Sequence, residues 1–112
     1  MLELFPGDVV WMEFGGGDGR EQSGRRPAVV IASPEYLDLV DSLALVVPVS
    51  TRDRGWPNHV LLTGPTGLDR DSWALTEQPR TRTRDRIFGI AGRVDAACLA
   101  GIRRWLRLFL DL

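Results

Sequence analysis

Arg25-Arg26-Pro27-Ala28-Val29-Val30-Ile31-Ala32 is the stretch on which the reading of this chain turns. From Pro27 to Ala32 the residues are continuously apolar and rich in β-branched side chains, the pattern of a strand buried on both faces. Upstream, Gly7 to Phe14 alternates instead, with Val10, Met12 and Phe14 on one face and Val9, Trp11 and Glu13 on the other. Gly15, Gly16, Gly17 and Gly19 end that strand. Downstream, Leu43 to Val49 reads as a second buried strand. Between the two buried strands, Ser33 is an N-cap, Pro34 sits at the first helical position and Glu35 is an acid in the first turn, so a short helix is expected through Val40.

Asn58 to Thr63 and Ser72 to Glu77 are further short strands, separated by the turn-forming Gly64-Pro65-Thr66-Gly67, and Ile87 to Ile90 adds a last one. From Asp95 the period changes. Cys98, Ile102, Trp105, Leu106 and Phe109 recur at helical spacing, with Arg103, Arg104 and Arg107 off the stripe and Asp95 as N-cap. Five or six short strands and one terminal helix predict a mainly β fold, a small and strongly bent antiparallel barrel with a C-terminal helix. At 112 residues the expectation is one domain, 1–112.

No apolar run approaches the roughly 20 residues a membrane span needs. The start, Met1 to Pro6, has neither the positive flank nor the cleavage site of a secretory signal, so a cytoplasmic location is expected and no membrane partner. Cys98 is the single cysteine, which excludes an internal disulfide and a thiolate metal cluster. The net charge of −1 conceals a split: residues 80–112 hold eight Arg against three Asp, while residues 1–79 hold six Arg against twelve acids. Every base is Arg, whose planar fork suits phosphate.

Ahead of the buried strand, Glu21-Gln22-Ser23-Gly24-Arg25-Arg26 places a carboxylate and two guanidinium groups on a Gly-containing loop. Such a pairing fits a solvated loop, and equally phosphate chemistry without a metal, where one group manages protons and another holds negative charge.

Taken in order, Gly7-Asp8-Val9-Val10-Trp11, Glu21 to Val30, Val47-Pro48-Val49-Ser50-Thr51, Asp71-Ser72 and Glu77-Gln78-Pro79-Arg80-Thr81 resemble the MazF/PemK family of toxin endoribonucleases over nearly the whole chain. The resemblance implies an SH3-like barrel that forms a homodimer, has a cognate antitoxin and needs no cofactor. It also implies sequence-selective cutting of single-stranded mRNA without metal, leaving 2′,3′-cyclic phosphate and 5′-hydroxyl ends. The family's catalytic Arg falls on Arg26, its strand-end hydroxyl on Ser50 (a Ser where Thr is common) and its loop carboxylate on Glu21. Two positions depart from the family pattern: Arg20 adds positive charge beside Glu21, and Pro79 replaces an aliphatic residue and removes a strand donor.

Arg26 is permanently charged, so its expected role is to stabilise the extra charge of the phosphorane rather than to act as a base. Ser50 would hydrogen-bond a non-bridging oxygen or orient the 2′-hydroxyl. Glu21 would accept a proton or position Arg26, or is simply a solvated loop acid. Gln22, Arg25, Thr51, Trp56, Gln78, Arg80 and Arg82 are the expected substrate side, with Trp56 either offering a stacking face or simply covering the core. Arg80, Arg82, Arg84 and Arg86 read as a basic track along the RNA backbone, as a solvated turn, or as the seat of an acidic antitoxin tail. His59, the sole histidine, reads as structural, and its solitude excludes a two-imidazole mechanism within one subunit. The competing class is a non-catalytic toxin on the same barrel that acts by protein contact, as gyrase poisons do.

Overall fold

The computed structural model describes residues 2–15 and 24–112. Among these residues seven strands, β1 (Asp8–Glu13), β2 (Arg25–Val30), β3 (Leu43–Ser50), β4 (His59–Leu61), β5 (Trp73–Leu75), β6 (Arg80–Thr83) and β7 (Ile87–Arg93), join two α-helices, α1 (Pro34–Leu39) and α2 (Ala96–Leu110). Every pairing is antiparallel: β7 lies on β1, β1 on β2 and β2 on β3. The other edge of β3 is divided, its first half taken by β6 and its end by β5, which in turn pairs with β4. Among the described residues no ladder joins β6 or β4 to β7, so the expected barrel is a bent sheet left open. No helix there is long and apolar enough to cross a membrane.

Why β2 is apolar without alternation follows from the layering. Ala28 and Val30 enter one core with Val10, Met12, Ala44, Val46 and Leu37 of α1. Val29 enters a second core on the opposite face with Val9, Val47, Val49, Ala74 and Cys98 and Ile102 of α2. Both faces of the sheet centre are therefore dry, and burying each such valine is worth about 1.5–3 kcal/mol. Both helices are capped as their sequences require: Ser33 Oγ accepts the Tyr36 amide, and an Asp95 carboxylate oxygen accepts that of Cys98. The α2 stripe is only partly covered, since Cys98 and Ile102 are buried while Phe109 is half exposed.

The turn after β4 lies against β7. Arg93 donates its amide to the Pro65 carbonyl, and a Cβ placed on Gly67, at φ +76°, would meet the Ala91 carbonyl oxygen at 2.0 Å. Gly67→Ala combines left-handed strain with that clash, so chemical denaturation should report a loss of about 2 kcal/mol or more.

β6 lies where the sequence suggested only a basic track or turn. A short 3-10 turn, Arg84–Arg86, follows it and leads into β7, which runs three residues beyond the expected end at Ile90.

Candidate active site

Arg25 and Arg26 open β2 and are both exposed. Being consecutive in a strand, they face opposite ways. Arg26 is paired with Met12 on one side. On the other, Ala28 is paired with Pro48, and continuing that register two residues sets Arg26 opposite Ser50, the last residue of β3. Directly opposed residues share a face, and the parity of Ala28 and Val30 assigns this one to the first core. Ser50 is also paired with Trp73 of β5, so the indole joins the same face. The Ser50 hydroxyl oxygen accepts the Arg52 amide at 3.0 Å, which leaves its own proton to donate. Arg25 turns away, its guanidinium carbon 4.3 Å from the Phe88 ring centroid, a cation–π contact.

β6 extends this face. Arg80 is opposite Val46 and Arg82 opposite Ala44, both first-core positions, so the two guanidinium groups lie on the Arg26 side of the sheet. They approach the Phe14 ring at 5.4 and 5.8 Å. Arg80 also donates to the Gln78 side-chain oxygen at 2.9 Å. The four-member track is not uniform, however. Arg84 turns inward, donating to the carbonyls of Leu43 at 2.8 Å, Leu37 at 2.5 Å and Val40 at 3.1 Å. Two of these are carbonyls at the end of α1 that the helix itself cannot satisfy. Arg84 therefore holds the fold together, while Arg86 reaches the Gly15 carbonyl at 3.4 Å.

Trp56 is exposed and stacks on His59, with ring centroids 4.8 Å apart and planes 25° from parallel. His59 Nε2 lies 3.1 Å from both carboxylate oxygens of Glu77, which also accepts from Asn58 Nδ2 at 2.8 Å and Gln78 Nε2 at 3.2 Å. Burial pushes the Glu77 carboxyl up, but the hydrogen bonds from His59, its own backbone and Gln78, with the nearby imidazole, outweigh it and hold its pKa below the ordinary value of 4.5. A lowered folded pKa means that Glu77's contribution to stability is complete above pH 4.5 and is lost as pH falls through the lowered value. The difference in unfolding midpoint between the native chain and Glu77→Gln should thus shrink as pH falls through that lowered value.

Of the residues expected from sequence, the fold brings Arg26, Ser50, Arg80 and Arg82 to one face and aims Arg25 at the other. Thr51 is exposed just past Ser50, and Gln78 bridges Glu77 and Arg80. Glu21 and Gln22 lie outside the described residues. Trp73 and Phe14 are aromatic members of this face that sequence reading did not single out. Alternation announced both side chains, but only the strand register reveals which side they take.

A family model described as PemK-like, MazF-like toxin of type II toxin-antitoxin system matches residues 5–110. The Endoribonuclease toxin MazF of Escherichia coli (strain K12) is 39% identical over 75 residues, 67% of this chain and 64% of that protein's length. Endoribonuclease MazF9 of Mycobacterium tuberculosis (strain ATCC 25618 / H37Rv) is 35% identical over 112 residues, covering 95% of each chain. Among solved structures, MazF from Deinococcus radiodurans superposes with a TM-score of 0.82 at 29% identity over 100% of both chains. A chain of the MazE-MazF structure from the same organism gives 0.80 at 30% identity, over 97% of this chain and 96% of that one.

Proposed function

Because the chain belongs to the PemK-like, MazF-like toxin family of type II toxin–antitoxin systems, we propose that it is a toxin that cuts single-stranded RNA at a site led by Arg26 and Ser50. The observation that supports this most is the shared register of those two residues on a face continued by Arg80 and Arg82. A guanidinium, a hydroxyl donor and a line of cations on one surface suit a phosphodiester in a charged strand.

In this reading the 2′-oxygen of the substrate gives up its proton, to Glu21 or to water, and attacks the adjacent phosphorus. The new O–P bond closes a 2′,3′-cyclic phosphate, the bond to the 5′-oxygen breaks, and that oxygen takes a proton from water and leaves as a 5′-hydroxyl. Arg26 holds the charge that accumulates on the non-bridging oxygens, a task for which a group that never loses its proton is suited. Ser50 donates to one of those oxygens or orients the 2′-hydroxyl. Glu21 takes up the 2′-proton or positions Arg26. Thr51, Trp56, Gln78, Arg80 and Arg82 contact the strand, with Arg25 and Gln22 at its margin.

The chain acts in the cytoplasm as a homodimer, restrained by an antitoxin; the MazE-MazF structure from Deinococcus radiodurans offers the parallel. Induction in a bacterial host should arrest growth and leave transcripts cut at a recurring short sequence. Arrest with intact transcripts and with gyrase co-purifying would replace this reading by toxicity through protein contact.

A further inference from the structure

The side chains around Glu77 form a connected group that neither the sheet nor either core requires. β4 and β5 are already paired through their backbones. Yet Glu77 receives hydrogen bonds from three side chains, those of Asn58, His59 and Gln78. A carboxylate only accepts, so the imidazole presents Nε2–H to it. The other ring nitrogen, Nδ1, is buried with no hydrogen-bond partner among the described residues. A buried nitrogen left in this state is a cost, and an apolar residue at position 59 would avoid it. What the imidazole supplies instead is a flat ring in a fixed plane, anchored at its far edge by an acid.

That plane lies under Trp56. One indole face is covered by His59, which is 8% exposed, while Trp56 itself remains 49% exposed, leaving the opposite indole face to solvent. The loop is pinned as well: Asp53 accepts the Gly55 amide at 2.9 Å, and the Trp56 carbonyl accepts that of His59 at 3.1 Å. Exposed Arg52 and Arg54 precede Trp56 on the same loop.

Position decides what the open ring meets. His59 is opposite Leu75, two residues from the Leu61–Trp73 pair, and Trp73 is opposite Ser50. Equal parity puts the His59 side chain on the face that holds Ser50 and, by continued register, Arg26. Two strand spacings and two residues along β4 place its backbone about 12 Å from that of Ser50. A strand whose phosphate lies at Arg26 and Ser50 is therefore within a few nucleotides of the indole.

We propose that Trp56 is the stacking platform for an unpaired base of the bound single strand, and that His59 and Glu77 are positioning residues that hold the indole at the angle the base requires. The proposal rests on the RNA-cutting reading for its substrate class. Glu77 also holds Gln78, and Gln78 holds Arg80 at 2.9 Å, so the platform and the phosphate-binding side of the face are set by one carboxylate.

The test separates bases from backbone. A random-sequence 12-mer of 2′-O-methyl RNA, which lacks the attacking hydroxyl, is compared by fluorescence anisotropy with an abasic 12-mer of equal charge. The native chain should bind the base-bearing strand about tenfold more tightly, the value of one stacked base. Trp56→Ala and His59→Ala should each abolish most of that ratio while leaving abasic binding unchanged. A merely structural residue would weaken both strands together. Glu77→Gln, which keeps the side-chain volume, should reduce the ratio part way and provides the brace measurement if His59→Ala does not fold. Equal ratios in the native chain and Trp56→Ala, or an undiminished ratio in both brace variants, would overturn the proposal. Cutting of an all-ribose strand is scored separately: its absence beside a Trp56-dependent ratio rejects only the nuclease reading, and its presence beside a Trp56-independent ratio rejects only the platform.

Discussion

Arg26→Ala should lower the rate of RNA cutting by about a hundredfold to a thousandfold, the usual cost of removing one preorganised charge or donor from a developing oxyanion. Its stability should stay within about 0.5 kcal/mol of the native chain, because the side chain is exposed and enters neither core. Arg26→Lys distinguishes two forms of the role. Lysine keeps the charge but loses the planar fork, so partial activity would assign the effect to charge, and activity as low as the alanine variant's would assign it to geometry. Ser50→Ala should lower the rate less, since the hydroxyl contributes one neutral hydrogen bond where Arg26 contributes a charge. Single-turnover cleavage of a labelled transcript, with an unfolding curve for each variant, measures both quantities.

Arg84→Ala should do the reverse. Carbonyls of Leu37, Val40 and Leu43 lose the guanidinium at once, Val40 keeping only the Leu43 amide. A hydrogen bond to a charged group contributes about 1.5–3 kcal/mol net, and because the three share one side chain whose loss water partly replaces, a total cost of about 3 kcal/mol is expected. For a chain of this size that lowers the unfolding midpoint by roughly 10–20 °C. Below the transition the variant should still cut RNA, because the Arg84 guanidinium is committed to backbone carbonyls at the end of α1 and the start of β3. Arg82→Ala, two residues earlier, should weaken strand binding and shift the midpoint little. The contrast divides the basic segment into one residue that fastens helix to sheet and neighbours that meet the substrate.

That division shows where sequence reading succeeded and where it stopped. β2 was legible because its uninterrupted apolar run matches a strand with a dry core on each side, Ala28 and Val30 facing one and Val29 the other. α1 and α2 were legible from Ser33-Pro34-Glu35 and from Asp95 with the stripe behind it, since caps act through neighbours three residues away. β6 was not, because Arg80-Thr81-Arg82-Thr83 has no apolar face; it is a strand through backbone pairing with Leu43 to Val46, a contact no local pattern encodes. Arg84 was misplaced for a related reason. An Arg among Args gives no sign that its partners lie more than forty residues upstream.

The candidate site divides in the same way. Arg26 and Ser50 were legible as residue types within the family's strings, and the antiparallel register of β2 and β3 explains why strings so far apart belong together. His59 was read as structural; the structure shows its ring hydrogen-bonded to Glu77 and stacked under Trp56. Its place beneath Trp56, three residues away, was hidden, because the carboxylate that fixes the ring, Glu77, lies 18 positions further along the chain. Trp73 was similarly visible as a strand aromatic without a side.

The most direct measurement is of the RNA ends. The purified chain, incubated with a single-stranded transcript in excess chelator, should yield fragments with 2′,3′-cyclic phosphate and 5′-hydroxyl termini, and Arg26→Ala should leave the transcript whole over the time in which the native chain cuts it. Fragments bearing 5′-phosphate, or full cutting by Arg26→Ala, would contradict the account.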